Sequence, residues 1–528
     1  MPSCFCISIR FLQPMSHGRG EGGEPEWPPS PLRVFQSLSA AAAARWNERQ
    51  QIDYAAPALS WLECMSIPKI VAAIGESSHV KCQFYVPDNI GDLVASGWTR
   101  GDSTRSVKRS EKVVRPTHLN GEAVHYLYPL DKADQSFEMH RETLFAAARS
   151  ITHLGWGIDM VVGKASVISE EDATKLPGVR WEPVEDAAAT RLRVPVKGTL
   201  DALIAKHKAF LNRIGPDGFR PVPPLRPGVD FSVQGYRRTW EPAAPRIAAF
   251  EFLKLDTSGW RSFDKLKACH VAGMLRHAAA EAAEQAGWDK HRINAFVLGH
   301  GEKSRQDAHQ PVGPERFAYI PLPSLISKGG DANIVADIRR ALIFVPAGGH
   351  EAEINWARRA LSGCELIDEK SRSAQAIISL IRDSDRMVTR YTQPSSVWAT
   401  VTPVILPGYD DPKHYRRRIK KGVSAAEQRR LLERLSDRID NLFRKAMIQA
   451  GFSETLAEHA EIEWRKVGYW PGADRSDRFF VPMHLRKFPA YHVRIRWHDP
   501  SGNAIRITGP IVLGGARYSG LGLFAAME

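Results

Sequence analysis

Four histidines in the second half of the chain have the right chemistry for moving a proton as general acid or base: His270, His277, His300 and His309. Imidazole titrates near neutrality, so it serves as base or acid without help from a metal. His270 and His277 lie seven residues apart in a stretch of helical periodicity, on the face that also carries Phe263, Leu266 and Met274. Packing at the edge of a core is the competing role for both. His300 stands between Gly299 and Gly301, just past an apolar run, and Lys303 and Arg305 follow it. The flanking glycines leave its ring accessible, and His309 shares its loop.

The C-terminal run Gly509-Pro510-Ile511-Val512-Leu513-Gly514-Gly515-Ala516-Arg517-Tyr518-Ser519-Gly520-Leu521-Gly522-Leu523-Phe524 is the sharpest motif. Gly514, Gly515, Gly520 and Gly522 let the backbone turn through positive φ and approach a ligand closely. Successive amides in such a turn cradle an anion, and Arg517 adds a planar fork for phosphate. Tyr518 offers a ring for a base to stack on. The run is not a nucleotide P-loop, because the Lys-Ser/Thr ending is missing. By spacing alone, a structural hairpin fits it equally well.

Cationic side chains cluster elsewhere too. Arg494 and Arg496 share one face of a strand at 490–498 with His492, while Tyr491, Val493, Ile495 and Trp497 take the other. Arg486 and Lys487 precede that strand, and the only acid near it in sequence is Asp499. This predicts a basic sheet surface able to track a phosphate backbone. Arg416, Arg417 and Arg418 lie in an acid-free run at 414–421. Arg105, Lys108, Arg109, Lys112 and Arg115 face a single acid, Glu111, in a segment that reads as a projecting loop or hairpin. For the strand the alternative is cross-strand pairing with acids, weakened because only Asp499 is near in sequence; for the other two runs it is a solvated surface. Across the chain, 72 Lys and Arg exceed 59 Asp and Glu, a net charge of +13 that favours a polyanionic partner.

The elements that must position these residues follow from length and pattern. At 528 residues the chain exceeds one ordinary domain. Its 43% hydrophobic and 25% charged content excludes wholesale disorder. No run of about 18 apolar residues suggests a membrane span. Six scattered cysteines, none in a C-x-x-C pair, argue against a zinc ribbon or a disulfide scaffold. No signal peptide is read at the N-terminus, and the cytoplasm is the expectation.

Residues 4–11 alternate as a half-buried strand, and Ser30 and Pro31 open an Ala-rich helix. Val124 to Leu130 reads as another strand. A Pro- and Gly-rich stretch at 214–245 reads as a domain linker. The opening pattern then recurs: a strand at 248–255, and a helix at 262–286 capped by Ser262 and stopped by Gly287. Further strands are expected at 293–299, 316–321, 341–346, 479–485, 490–498 and 503–513. Helices are expected at 331–340 and, with one apolar face, at 424–450.

Two segments, GEPEWPPSPLRVFQSL near the start and GPIVLGGARYSGLGLF at the end, resemble the CRISPR-associated Cas-five/Cas-six fusion subunit of type I-U (I-G) effector complexes. KVVRPTHLNGEAVHYLYPL, VLGHGEKSRQDAH with RFAYIPLP, and WATVTPVILP are similar to middle segments of that family. The resemblance implies an α+β chain of two fused ferredoxin-like (RRM-like) modules. Residues 1–240 would form a Cas-five-like domain that holds the 5′ handle of CRISPR RNA and joins the effector assembly. Residues 246–528 would form a Cas-six-like endoribonuclease with a C-terminal glycine-rich loop.

The implied activity is cleavage of precursor CRISPR RNA within its repeats by attack of the ribose 2′-oxygen, with no metal or other cofactor. The implied partners are precursor and mature CRISPR RNA, Cas-seven-like backbone and Cas-eight-like large subunits, and target DNA indirectly. The resemblance is closest at Gly299-His300, which ranks His300 first; His270, His277 and His309 follow. Arg316 stands where the family would place a histidine before the FAYIPLP strand, so a second catalytic group is unassigned. Two rivals stay open: a catalytically silent RNA-binding subunit of the same complex, and a general RNA- or tRNA-binding protein.

Overall fold

Phe5, Ile7, Ile9 and Phe11 of the strand Ser3–Phe11 are all buried, as the alternation predicts. The strand is central, because Cys6 on its other face is buried as well. The computed structural model describes residues 3–48, 52–78, 80–87, 101, 109–130, 136–185, 188, 190–215, 218–301, 312–327, 333–406, 417–419 and 423–527. The protein is a mixed α+β chain with several antiparallel sheets, in two compact units, Met1–Thr239 and Trp240–Glu528.

In the first unit an antiparallel sheet runs in the order Val161–Ser169, Ser3–Phe11, Thr117–Leu130, Lys69–Ser77, Val179–Val184, Ser232–Arg238, Thr190–Val194. The helices Pro31–Arg45 and Ser136–Arg149 bury Phe35, Leu38, Leu144 and Ala148 in the same core as Phe5, Ile7 and Tyr126. Pro31 starts its helix as expected, but Ser30 does not cap it with its side chain. Its amide instead donates to Glu26. The expected linker at 214–245 contains the strand Ser232–Arg238, paired on both sides, so much of it belongs to the sheet. Arg109–Val114 pairs with Cys82–Pro87 in a separate two-stranded hairpin.

The second unit has two five-stranded sheets. One runs Ala318–Ser327, Asn333–Phe344, Ile247–Leu253, Ser373–Leu380, Glu365–Asp368. Its strands are interleaved in sequence with the helices Ala268–Gln285 and Glu351–Ala360. Phe250, Phe252, Leu275, Ala279, Ile320 and Leu342 share its core. The other sheet places Ala490–Arg496 against both Glu461–Arg465 and Val397–Thr400, with Phe524–Ala526 beyond the latter. The helix Ala425–Gln449, capped by Ser424, lays Leu435, Ile439, Leu442 and Phe443 on this sheet.

Several expected elements are different. Residues 293–299 are a π-helical turn, Ile293–Leu298, rather than a strand. The expected helix at 331–340 is part of the strand Asn333–Phe344. Pairing on both sides puts Val335, Ile338 and Ala341 in the core, and that outweighs its helical composition. The strand expected at 316–321 extends over Ala318–Ser327, with register shifts where Pro323 interrupts the ladder. The helix expected from Ser262 starts at Ala268, after a short turn capped by Asp264. Residues 479–485 form a loop ending in the 3-10 turn Met483–Leu485, and 503–513 is irregular, tied to its neighbours by isolated bridges at Ala504, Ile507 and Val512 and by single backbone hydrogen bonds.

Candidate functional site

The glycine-rich run is a backbone knot before it is a ligand loop. Gly514 has φ +91°, and a Cβ there would stand 2.3 Å from the carbonyl oxygen of Ile405. At Gly522, with φ +73°, it would stand 1.9 Å from the oxygen of Leu513. Gly520 packs over Ala268 and Pro321, which ties the loop to the start of the Ala268–Gln285 helix. Gly515 differs: it is exposed, has no positive φ, and its nearest neighbour is Leu485 at 3.4 Å.

Leu485 brings a second loop alongside. Exposed Arg486 and Lys487 follow it directly, and the amide of Phe480 in the same loop donates to Leu266. These two predicted cations therefore flank the glycine run.

Tyr518 sits at its centre. The amide of Tyr319 donates to the Tyr518 carbonyl at 3.1 Å. The Arg316 guanidinium lies over the Tyr518 ring, 4.0 Å from the centroid, and that of Arg517 lies 4.8 Å away. Arg316 also donates to the carbonyl of Gly299 at 2.9 Å. Gly299 has φ +67°, which favours glycine, and a Cβ there would stand 2.2 Å from that guanidinium. His300 is the next residue, exposed, with its amide donating to Asn294. The structure thus joins the two strongest sequence features, Gly299-His300 and the glycine run, through one arginine.

Burial lowers the pKa of Arg316 from its usual value. Tyr518 opposes that shift, and the nearby charges of Arg517 and Arg276 add to it. Three guanidiniums crowded in this way disfavour one another, and a bound anion relieves the repulsion. Arg316 and Arg276 were not picked out as cation sites by sequence pattern, because neither stands in a basic run; no local signal could have found Arg276. Arg517 donates to Gly514 at 3.1 Å and to Gln449, at the end of the long helix, at 3.0 Å. It fastens the loop as much as it charges it.

The remaining histidines divide. His270 lies two residues after Ala268, which Gly520 contacts, and its Nε2 is 3.6 Å from Asp368. The amide of Lys370 holds the Asp368 carboxyl below its usual pKa, with His270 contributing. His277 pairs with Glu281 of its own helix at 3.3 Å. His309 lies outside the described residues, as do Arg416, Arg105 and Lys108. Arg417 and Arg418 are exposed, and Arg418 meets Glu427 at 3.5 Å. Exposed Arg109 and Lys112 lie on the two-stranded hairpin of the first unit.

The basic face expected on the Ala490–Arg496 strand is corrected by its neighbour. Register places Glu463 opposite Arg494 and Glu461 opposite Arg496, with 2.6 Å ion pairs at both. The acids come from Glu461–Arg465, distant in sequence but adjacent in the sheet. His492 on that face is fully buried. The N-terminal motif also turns inward. Glu26 is buried and accepts from Ser30, Arg33 and Arg193. Burial raises its pKa, but these partners outweigh it and hold the carboxyl below the usual range.

Among the described residues no three His, Cys, Asp or Glu side chains group as metal ligands would, and no helix is long and apolar enough to cross a membrane. The chain belongs to the GSU0054 family of CRISPR-associated proteins, whose family model matches residues 4–526. No curated protein matches it. Among solved structures, a CRISPR protein from Archaeoglobus fulgidus is 13% identical, with 35% of this chain and 72% of that one covered, at a TM-score of 0.18.

Proposed function

We propose that the chain is the Cas-five/Cas-six fusion subunit of a type I-U (I-G) effector complex, cutting precursor CRISPR RNA within repeats and staying bound to the product. The family membership sets the CRISPR context. Strand order supports ferredoxin-like modules. With the two strands flanking the first helix region numbered one and two, Val161–Ser169, Ser3–Phe11, Thr117–Leu130 and Lys69–Ser77 lie in the order four-one-three-two. Ser373–Leu380, Ile247–Leu253, Asn333–Phe344 and Ala318–Ser327 repeat it in the second unit. The sheet carrying Ala490–Arg496 gives it a third time, the glycine run standing where a second helix would.

On this reading residues 1–240 hold the 5′ handle and the assembly contacts to backbone and large subunits, and residues 246–528 bind and cut the repeat. The observation that carries the nuclease assignment is the convergence of Gly299-His300, Arg316 and Tyr518 beside the glycine run. His300 takes the 2′ proton. The 2′-oxygen attacks phosphorus and the bond to the 5′ oxygen breaks, leaving a 2′,3′-cyclic phosphate. A second group must protonate the departing oxygen, and we assign that role to His270, whose Nε2 lies 3.6 Å from Asp368. Arg316 and Arg276 offset charge on the phosphorane.

The test is single-turnover incubation of the full chain with repeat RNA in EDTA. Site-specific cleavage to a cyclic phosphate is expected, slowed by His300→Ala. Tight binding without cleavage would instead identify a silent RNA-binding subunit, and equal affinity for an unrelated hairpin a general RNA binder.

A further inference from the structure

A second cationic site lies at the opposite end of the Ala318–Ser327 and Asn333–Phe344 hairpin. The glycine-run site meets this hairpin at Tyr319. A cleft of about 350 Å³ opens near Ser327 and Asn333, lined also by Trp260, Arg339, Arg340, Arg386 and Arg390. The strand Ala318–Ser327 is 10 residues long, a span of roughly 30 Å.

Trp260 is half exposed, at 50%. Its Nε1 donates to Glu251 at 2.7 Å, which fixes the ring. The guanidiniums of Arg339 and Arg340 stand 5.5 and 5.6 Å from its centroid. Arg340 makes a 3.0 Å ion pair to Asp385, and Asp385 in turn caps the Arg386–Thr392 helix. That pair builds a rigid wall. Arg386 and Arg390, four residues apart on the helix, line the same cleft. Arg339, Arg386 and Arg390 make no ion pair among the described residues. Asp385 is thus the lone acid among the lining residues, already neutralised by Arg340.

We propose that this cleft binds single-stranded RNA, with one base stacked on Trp260 and the adjoining phosphates held by Arg339, Arg386 and Arg390. A fixed aromatic face beside uncommitted guanidiniums is what an unpaired nucleotide needs; a duplex offers no free base face to the ring. An acidic protein segment would use the charges but gain nothing from the tryptophan. The site goes beyond the cleavage reading, since it requires no chemistry at His300, and binding through it would hold unpaired RNA leading to or from the site at Tyr518.

The experiment measures binding of a labelled ten-nucleotide uridine oligomer to the full chain by fluorescence anisotropy, with an RNA hairpin lacking single-stranded flanks as comparison. Trp260→Ala should weaken oligomer binding about tenfold, the range of one lost base stack, and leave hairpin binding within twofold. Trp260→Tyr should retain most of the affinity, which separates stacking from misfolding. Arg386→Ala with Arg390→Ala should make the salt dependence of log K shallower by about 1.4, or 0.7 per lost phosphate contact. Replacing uridine with 5-bromouridine should cross-link at Trp260 under ultraviolet light. The proposal is overturned if Trp260→Ala leaves oligomer binding unchanged, or if a poly-glutamate of equal charge displaces the oligomer as well as unlabelled oligomer does. Loss of cleavage in His300→Ala with oligomer binding intact would leave the cleft standing, so the two readings fail separately.

Discussion

Arg316 spans two segments that the sequence holds some 200 residues apart: one nitrogen holds the carbonyl of Gly299 while the guanidinium covers the ring of Tyr518. The contact fixes where the glycine run sits relative to His300. It also half-buries a charge whose Nε has no hydrogen-bond partner among the described residues. A half-buried, incompletely satisfied guanidinium beside two more arginines is stabilised when an anion completes it.

Arg316→Ala should therefore affect chemistry as well as packing. If Arg316 stabilises the phosphorane, single-turnover cleavage of repeat RNA should fall by roughly 10²–10³. Arg316→Lys keeps a charge but loses the flat contact with Tyr518, and should recover only part of the rate. A normal rate for Arg316→Ala would remove Arg316 from the mechanism and leave it a structural clamp.

His300 and His270 are separable by the same assay. Loss of one acid or base costs about 10²–10⁴ in rate. His300→Ala should show such a loss with RNA affinity within a few-fold, and His270→Ala a comparable loss if it protonates the leaving oxygen. Asp368→Asn should then act through His270, shifting the alkaline limb of the pH–rate profile, where a general acid is lost, rather than abolishing cleavage. Full activity in His300→Ala with loss in His277→Ala would move the base one helix away.

The glycines make a sharper structural prediction. Gly522→Ala forces a side chain into the Leu513 carbonyl at positive φ, so it should destabilise the second unit by more than about 1–2 kcal/mol in urea unfolding. Gly514→Ala should behave alike against Ile405. Gly515→Ala should stay within about 0.5 kcal/mol, as an exposed position of ordinary backbone does. If Gly515→Ala still weakens RNA binding, the backbone of that residue contacts the ligand.

What was legible in the sequence is what repeats locally. Alternation gave Ser3–Phe11, one apolar face gave Ala425–Gln449, and glycine density marked 509–524 as a special backbone. What failed depended on partners. Asn333–Phe344 has helix-compatible composition, and only its pairing with two other strands makes it β. The Arg494 and Arg496 face looked acid-free because Glu461 and Glu463 are about thirty residues away in sequence and opposite in register. The Arg276, Arg316 and Arg517 cluster draws on three separate elements, so no spacing rule reveals it. Glu26 shows the converse: a motif specific enough to carry a family resemblance turns out to bind its own domain's arginines.

The last prediction concerns acid stability and follows from His492. Its Nδ1 meets the Thr400 hydroxyl at 3.0 Å, and its Nε2 meets the Asp474 carbonyl at 2.9 Å. Thr400 Oγ1 already accepts the amide of Val493, so its proton points at Nδ1, and the ring is neutral with its proton on Nε2. Burial drives the His492 pKa down to about 4, with Arg465 adding to the fall and the Asp474 and Thr400 contacts opposing it. Between the unfolded value of 6.5 and about 4, the unfolded chain binds a proton that the native protein refuses. Stability is thus fully present above pH 6.5 and is lost as pH falls through that window, by roughly 3 kcal/mol in all. His125, also lowered by burial, titrates in the same direction, so the measurement must be a difference. Urea unfolding of the second unit at pH 7 and pH 4.5 should show a smaller drop in His492→Gln than in the unaltered protein. An equal drop in both would mean that His492 is already protonated in the fold and that Thr400 accepts rather than donates.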